Sequence, residues 1–163
     1  MTTIVTLEPW EYEWACSIGI RRFTANWNKK DASHYKAELM EDNRTAQVAA
    51  CIAELAVAKA INHYWSGHVW SGTEHSKYKS VPDVGTNIEV RRVRKGTTAA
   101  VRKHQLGMGL KLFVAYPQPP EFRVCEIWGW MDYDEAWQLG TPSSYAPDTT
   151  RLIERSKLFV LPC

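Results

Sequence analysis

Hydrophobic and polar positions alternate in some stretches of this chain and follow a helical period in others. Thr2 to Leu7 alternates β-branched and apolar residues and predicts a short strand. Pro9 suits the first turn of a helix, where a missing N–H costs nothing, and Trp10, Trp14, Ile18 and Phe23 then recur at helical spacing. Asn28 to Glu38 is polar and mixed, and reads as a loop or a frayed helix end. Asp42 or Asn43 can cap a second helix running to about Trp65. From Val48 to Ile61 only Glu54 and Lys59 interrupt its apolar surface, so burial on most sides is expected.

Ser66 to Ser80 mixes Gly, Ser, His and Lys with two aromatics and suits a long exposed loop of the kind that lines sites. Val81–Val84 and Ile88–Val93 read as the strands of a hairpin turned by Gly85-Thr86-Asn87. Leu110–Tyr116 and Phe122–Met131 form a second apolar pair, joined by the stiff Pro117-Gln118-Pro119-Pro120 turn. Asp132 is placed to cap a short helix, Tyr133–Leu139, that Gly140 ends, and Lys157–Leu161 reads as an edge strand. These elements predict an α/β chain without internal repeats, low-complexity tracts or a linker.

Composition adds bounds. At 163 residues and 45% hydrophobic content the chain fits one ordinary domain with a real core. A net charge of +2 is too mild to point to nucleic acid by itself, so local clustering matters more. Cys16, Cys51, Cys125 and Cys163 are far apart, lack CxxC spacing and read as reduced thiols. No cationic, apolar segment opens the chain, and no apolar run approaches the roughly 20 residues needed to cross a bilayer. A cytoplasmic location without membrane contact is expected.

Candidate chemistry centres on the first predicted hairpin. Strand alternation puts Glu89 and Arg91 on one face and Ile88 and Val90 on the other. Asp83 lies across the turn, where its carboxylate can converge with that of Glu89. Phosphodiester cleavage uses such a grouping, because Mg²⁺ or Mn²⁺ takes oxygen ligands and keeps waters that can become nucleophiles. Arg91 offers a fork of donors to phosphate oxygens but, with a pKa above ~12, is a poor general base. Glu54, an ionisable group in an apolar helix, is costly unless paired, protonated or holding a metal.

The segments Ala53-Glu54-Leu55-Ala56-Val57-Ala58-Lys59, Pro82-Asp83-Val84-Gly85 and Ile88-Glu89-Val90-Arg91, with the later Gly129-Trp130, resemble the PD-(D/E)XK nuclease-like superfamily, in particular its small phage-borne members. The resemblance spans roughly residues 46 to 139. It implies a restriction-endonuclease-like core, a mixed central sheet flanked by helices, with Asp83 and Glu89 as metal ligands and Glu54 as an accessory acid. Arg91 takes the place of the usual lysine, and only five residues separate Asp83 from Glu89. The implied activity is a metal-dependent deoxyribonuclease, with DNA as partner and the host cytoplasm as location if the chain is phage-encoded.

Blander readings stand beside these. Asp83 and Glu89 can be solvated carboxylates paired with Arg91, Arg92 or Arg94, and Glu54 can pair with Lys59 or an arginine elsewhere. The run Arg92, Arg94, Lys95, Arg102, Lys103 and His104 can follow a phosphate backbone or form a solvated face. Trp10, Trp14, Trp128, Trp130 and Trp137 fall on expected core faces, leaving Trp65 and Trp70 as candidates for stacking on a base. His63, His68 and His75, with Glu74, match no common zinc spacing and read as surface histidines. No P-loop and no Gly-x-Ser-x-Gly elbow occurs. Gln105 is a candidate for orienting substrate or water. The alternative function is a catalytically inactive nuclease-fold protein that binds DNA or a host protein, or a structural phage protein on the same scaffold. Small size leaves room for a homodimer.

Overall fold

The computed structural model describes residues 2–26, 42–70 and 81–162. The predicted loop at Asn28–Glu38, the part of Ser66–Ser80 beyond Trp70, and Cys163 lie outside the described residues. Strand β1 spans Thr3–Thr6 and helix α1 Pro9–Asn26. Helix α2 runs Asn43–Ala60, then come β2 Ile88–Arg92 and β3 Thr98–Arg102. The remainder is β4 Lys111–Pro117, β5 Val124–Asp132, α3 Tyr133–Leu139, β6 Thr141–Pro142 and β7 Thr150–Glu154.

Four strands form a mixed sheet in the order β1-β5-β4-β2, with β2 parallel to β4 and the other pairs antiparallel. Three more form a small antiparallel sheet, β3-β7-β6. Side chains alternate across β4 and divide the core accordingly. Phe113 and Ala115 pack with α1 and α2, whereas Leu112 and Val114 pack with β3, β7 and α3. With both faces covered, β4 reads as the continuous apolar run Leu112–Ala115. The α/β expectation therefore holds, but the second face of the mixed sheet is covered by a small sheet together with α3 rather than by helices alone.

Helix α2 is buried along Cys51–Ala58 because it lies between α1 and the sheet. Its N-terminus is closed by Asp42, whose side chain accepts from the Thr45 N–H at 2.8 Å, a cap worth about 1 kcal/mol. It ends at Ala60, short of the predicted Trp65, and the Ile61 N–H closes the last turn onto the Val57 carbonyl. Gly19 sets the approach of α1 to α2, since a Cβ there would stand 2.5 Å from the Val48 Cα. Truncating Ile52 to alanine in this packed layer costs about 2–5 kcal/mol.

Several predicted elements differ. The first hairpin reduces to one bridge, Val84 to Ile88, on the edge of β2 away from β4, and the strand partner of β2 is β4. Lys157–Leu161 forms no strand: Arg155–Lys157 is a 3₁₀ turn, and only Phe159 bridges to Trp130. That bridge requires Gly129, where a Cβ would sit 2.4 Å from the Phe159 carbonyl oxygen. Asp132 precedes α3 without a capping side-chain bond, and Gly140 ends the helix in an extended conformation. Strands β3, β6 and β7 were not foreseen, their residues being read as a basic run and a tail. Trp10 is 64% exposed, against the expected core position.

Candidate active site

The buried stripe of α1 is Glu11, Ala15, Ile18, Gly19 and Arg22, so two ionisable side chains share an otherwise small or apolar face. Arg22 reaches Glu54 on α2, with Nη1 donating to Oε1 at 2.8 Å. The second oxygen of Glu54 accepts from the Trp65 indole N–H at 2.8 Å. The buried glutamate is thus paired with an arginine, not with Lys59, which bonds Glu11 instead. Burial works against the Arg22 charge, but Glu54, Cys51 and Asp83 outweigh it and hold the guanidinium more firmly protonated than usual. Trp65 is only 2% exposed, which removes it as a base-stacking platform.

Asp83 is fixed by the turn between α2 and β2. Gly85 adopts a left-handed conformation, its N–H donates to the Tyr64 carbonyl, and Val84 bridges to Ile88. The Val90 N–H then donates to Asp83 Oδ2 at 2.8 Å from the side of β2 that has no strand partner in the mixed sheet. Burial pushes the Asp83 carboxyl well above its ordinary range, and the neighbouring charges of Glu54 and Glu89 push it further, against the Val90 bond and Arg91.

Glu89 and Arg91 share a face of β2, as alternation predicts, with Nη1 donating to Oε1 at 2.6 Å. Register places them beside Leu112 and Val114, toward the small sheet. Glu54, in contrast, sits among α1 and α2 on the opposite face. The three acids therefore straddle an edge strand: Glu54 from the helical side, Glu89 from the other, and Asp83 between them.

Arg91 is bound on all three of its nitrogens. Nε donates to the Ala100 carbonyl at 3.1 Å, Nη1 to Glu89, and Nη2 to both Gln105 Oε1 and the Tyr133 hydroxyl. Tyr133 also donates to Gln105 at 2.8 Å and accepts from the Arg102 N–H at 2.8 Å. This network ties β2 to β3, to the 3₁₀ turn Lys103–Gln105 and to α3. Gln105, expected to face substrate, is buried within it.

Asp83 Oδ1 and Glu89 Oε2 have no protein donor among the described residues. Two such carboxylates suit Mg²⁺ or Mn²⁺, which commonly takes one or two protein oxygens and completes its shell with water and substrate phosphate. Among the described residues no group of three or more His, Cys, Asp or Glu side chains is arranged to hold a metal ion.

The predicted basic run does not form one patch. Arg92 and Arg94 are half-buried, the Arg92 guanidinium lying 5.5 Å from the Phe122 ring centre. Arg102 donates to the Thr150 hydroxyl at 2.8 Å, and burial together with Arg91 lowers its proton affinity. Lys95 and Lys103 are exposed, with His104, but at opposite ends of β3, on the order of 15 Å of strand apart.

Sequence reading passed over Arg22 and Tyr133. A signal existed for Arg22, which continues the series Glu11, Ala15, Ile18 at helical spacing. Tyr133 carried none, since its role depends on β3 lying beside β2. Comparisons with protein families, curated proteins and solved structures found no match. Among the described residues no helix is long and apolar enough to cross a membrane.

Proposed function

We propose that this protein is a divalent-cation-dependent deoxyribonuclease of the PD-(D/E)XK nuclease-like kind, with a restriction-endonuclease-like core. Asp83 and Glu89 hold Mg²⁺ or Mn²⁺, and Glu54 acts as the accessory acid. The observation that carries this reading is the position of Asp83, anchored on the Val90 N–H at 2.8 Å while feeling two neighbouring carboxylates. Like charges gathered in partial burial are costly unless a proton or a cation offsets them. A bound divalent cation would supply that charge together with a coordinated water for phosphodiester hydrolysis. Arg91 sets the orientation of Glu89, and Lys95 and Lys103 offer exposed charge to a DNA backbone, with Arg92, Arg94 and Arg102 more deeply set.

Purified protein incubated with single-stranded, duplex and branched DNA in Mg²⁺ or Mn²⁺ tests the proposal. Cleavage is expected to be abolished in Asp83→Ala and Glu89→Ala with the fold retained. Undiminished cutting by both variants removes the assignment. A second reading rests on the engagement of Arg91: with all three nitrogens bound, the usual lysine position lacks an unengaged cation. In that reading the chain is an inactive nuclease-fold protein that binds DNA or a host protein, and binding without cutting on every substrate supports it.

A further inference from the structure

The guanidinium of Arg22 is held by three neighbours, and its remaining nitrogen is buried without a partner among the described residues. Nη1 is on Glu54, Nε donates to the His68 carbonyl at 2.9 Å, and the guanidinium carbon lies 5.7 Å from the Trp70 ring centre. Nη2 is buried and has no hydrogen-bond partner among the described residues. His68 repeats the pattern: its ring stacks on Trp70 at 4.5 Å, Nδ1 bonds the Ser66 hydroxyl at 2.6 Å, and Nε2 is buried without a partner. Asn26 at the end of α1 fastens this segment by donating to the Trp70 carbonyl at 3.2 Å.

A buried guanidinium N–H without an acceptor forgoes a charge-assisted bond, so such a donor is normally occupied in a working protein. When the Ser66 hydroxyl donates to Nδ1, the proton of a neutral His68 ring sits on Nε2, which makes that nitrogen a donor as well. Both side chains lie against the Trp70 ring, and an oxyanion is the kind of acceptor that suits an unpartnered guanidinium N–H and, in this tautomer, the Nε2–H as well. Arg22 is preorganised for it, because Glu54, His68 and Trp70 fix its plane before any ligand arrives.

We infer that Arg22, with His68 beside it, is a phosphate-binding site that takes a non-bridging oxygen of a nucleic-acid phosphate. The link to the carboxylates rests on the nuclease reading; Arg22 pairs with Glu54 at 2.8 Å and also feels the Asp83 charge. Oxyanion binding itself does not require cleavage. In this arrangement Arg22 supplies the cation that meets the phosphate, while Arg91 is a positioning residue.

The test measures binding of a fluorescent oligonucleotide by anisotropy in Ca²⁺ and in the absence of metal, with inorganic phosphate as competitor. Arg22→Lys keeps a positive charge opposite Glu54 but loses the second donor arm. The double variant Arg22→Gln/Glu54→Gln removes both charges of the buried pair, and circular dichroism confirms the fold of each. Both are expected to weaken oligonucleotide binding about tenfold or more, the loss of one charge-assisted bond. In the wild type, inorganic phosphate should displace DNA and shift the His68 ring resonances. Phosphate binding without DNA binding would assign the site to a free phosphate and overturn its nucleic-acid part. Folded variants that bind as tightly as wild type would overturn the inference even if the enzyme cuts DNA. Wild-type binding that depends on Arg22, with no cutting in any metal, would sustain it while removing the nuclease reading.

Discussion

Replacing Arg91 by lysine puts the residue usual in PD-(D/E)XK motifs into β2 and separates two roles for this position. Lysine can keep the pair with Glu89, which Arg91 makes at 2.6 Å. It cannot also reach the Ala100 carbonyl, Gln105 and the Tyr133 hydroxyl, because one ammonium replaces a planar fork. Three hydrogen bonds are lost, each worth about 1 kcal/mol net, for a destabilisation of about 3 kcal/mol. Part of the loss is softened, since Tyr133 still donates to Gln105 and still accepts from the Arg102 N–H. For a chain of this length each kcal/mol lowers Tm by about 2–4 °C, so a fall of roughly 6–12 °C is expected in calorimetry. A Tm within about 1 °C of wild type would refute the claim that Arg91 ties the two sheets together. Under the proposed nuclease reading, raised DNA cleavage by Arg91→Lys would assign a freer cation at this position a direct part in that reaction.

Tyr133→Phe removes the donor to Gln105 and the acceptor of the Arg102 N–H, and urea unfolding should report a loss of about 2 kcal/mol. Arg22→Ala leaves Glu54 buried and unpaired and should cost about 3–5 kcal/mol, whereas Arg22→Gln/Glu54→Gln should cost much less; equal losses would contradict a desolvated pair. The Asp83 carboxyl, raised by burial and then by Glu54 and Glu89, takes up a proton on folding between its ordinary value near 3.8 and its folded value. The native state binds more protons in that window, so metal-free stability falls as pH rises through it. Asp83→Asn should therefore be more stable than wild type above the window, with the difference closing as pH falls; a pH-independent difference in Tm would remove the acid cluster. Gly129→Ala should detach the Phe159 bridge, seen as loss of amide protection at Trp130 and Phe159.

Much of the fold was legible because local rules decide it. Asp42 capping α2, the apolar run to Ala58, the strand pair around the Pro117–Pro120 turn and the helix after Asp132 follow from caps, periodicity and turn chemistry. Hidden from such rules were β3 and β7, whose pairing joins Thr98–Arg102 to Thr150–Glu154 across some fifty residues. The parallel pairing of β2 with β4 was also nonlocal, and the predicted hairpin formed only a single bridge.

Taken alone, the sequence determined which side chains share a face: Glu89 with Arg91 on β2, Glu54 within the buried stripe of α2, and Arg22 in line with Ala15 and Ile18 on α1. Periodicity specifies this because 3.6 and 2 residues per repeat are properties of the backbone. Only the tertiary structure decided what those faces meet. It brought Arg22 to Glu54, set Asp83 against the unpaired edge of β2 between two further carboxylates, and turned Arg91 toward Tyr133 and Ala100. Each of these contacts joins residues on different elements, so its partner is chosen by how layers pack and not by any neighbour in the chain.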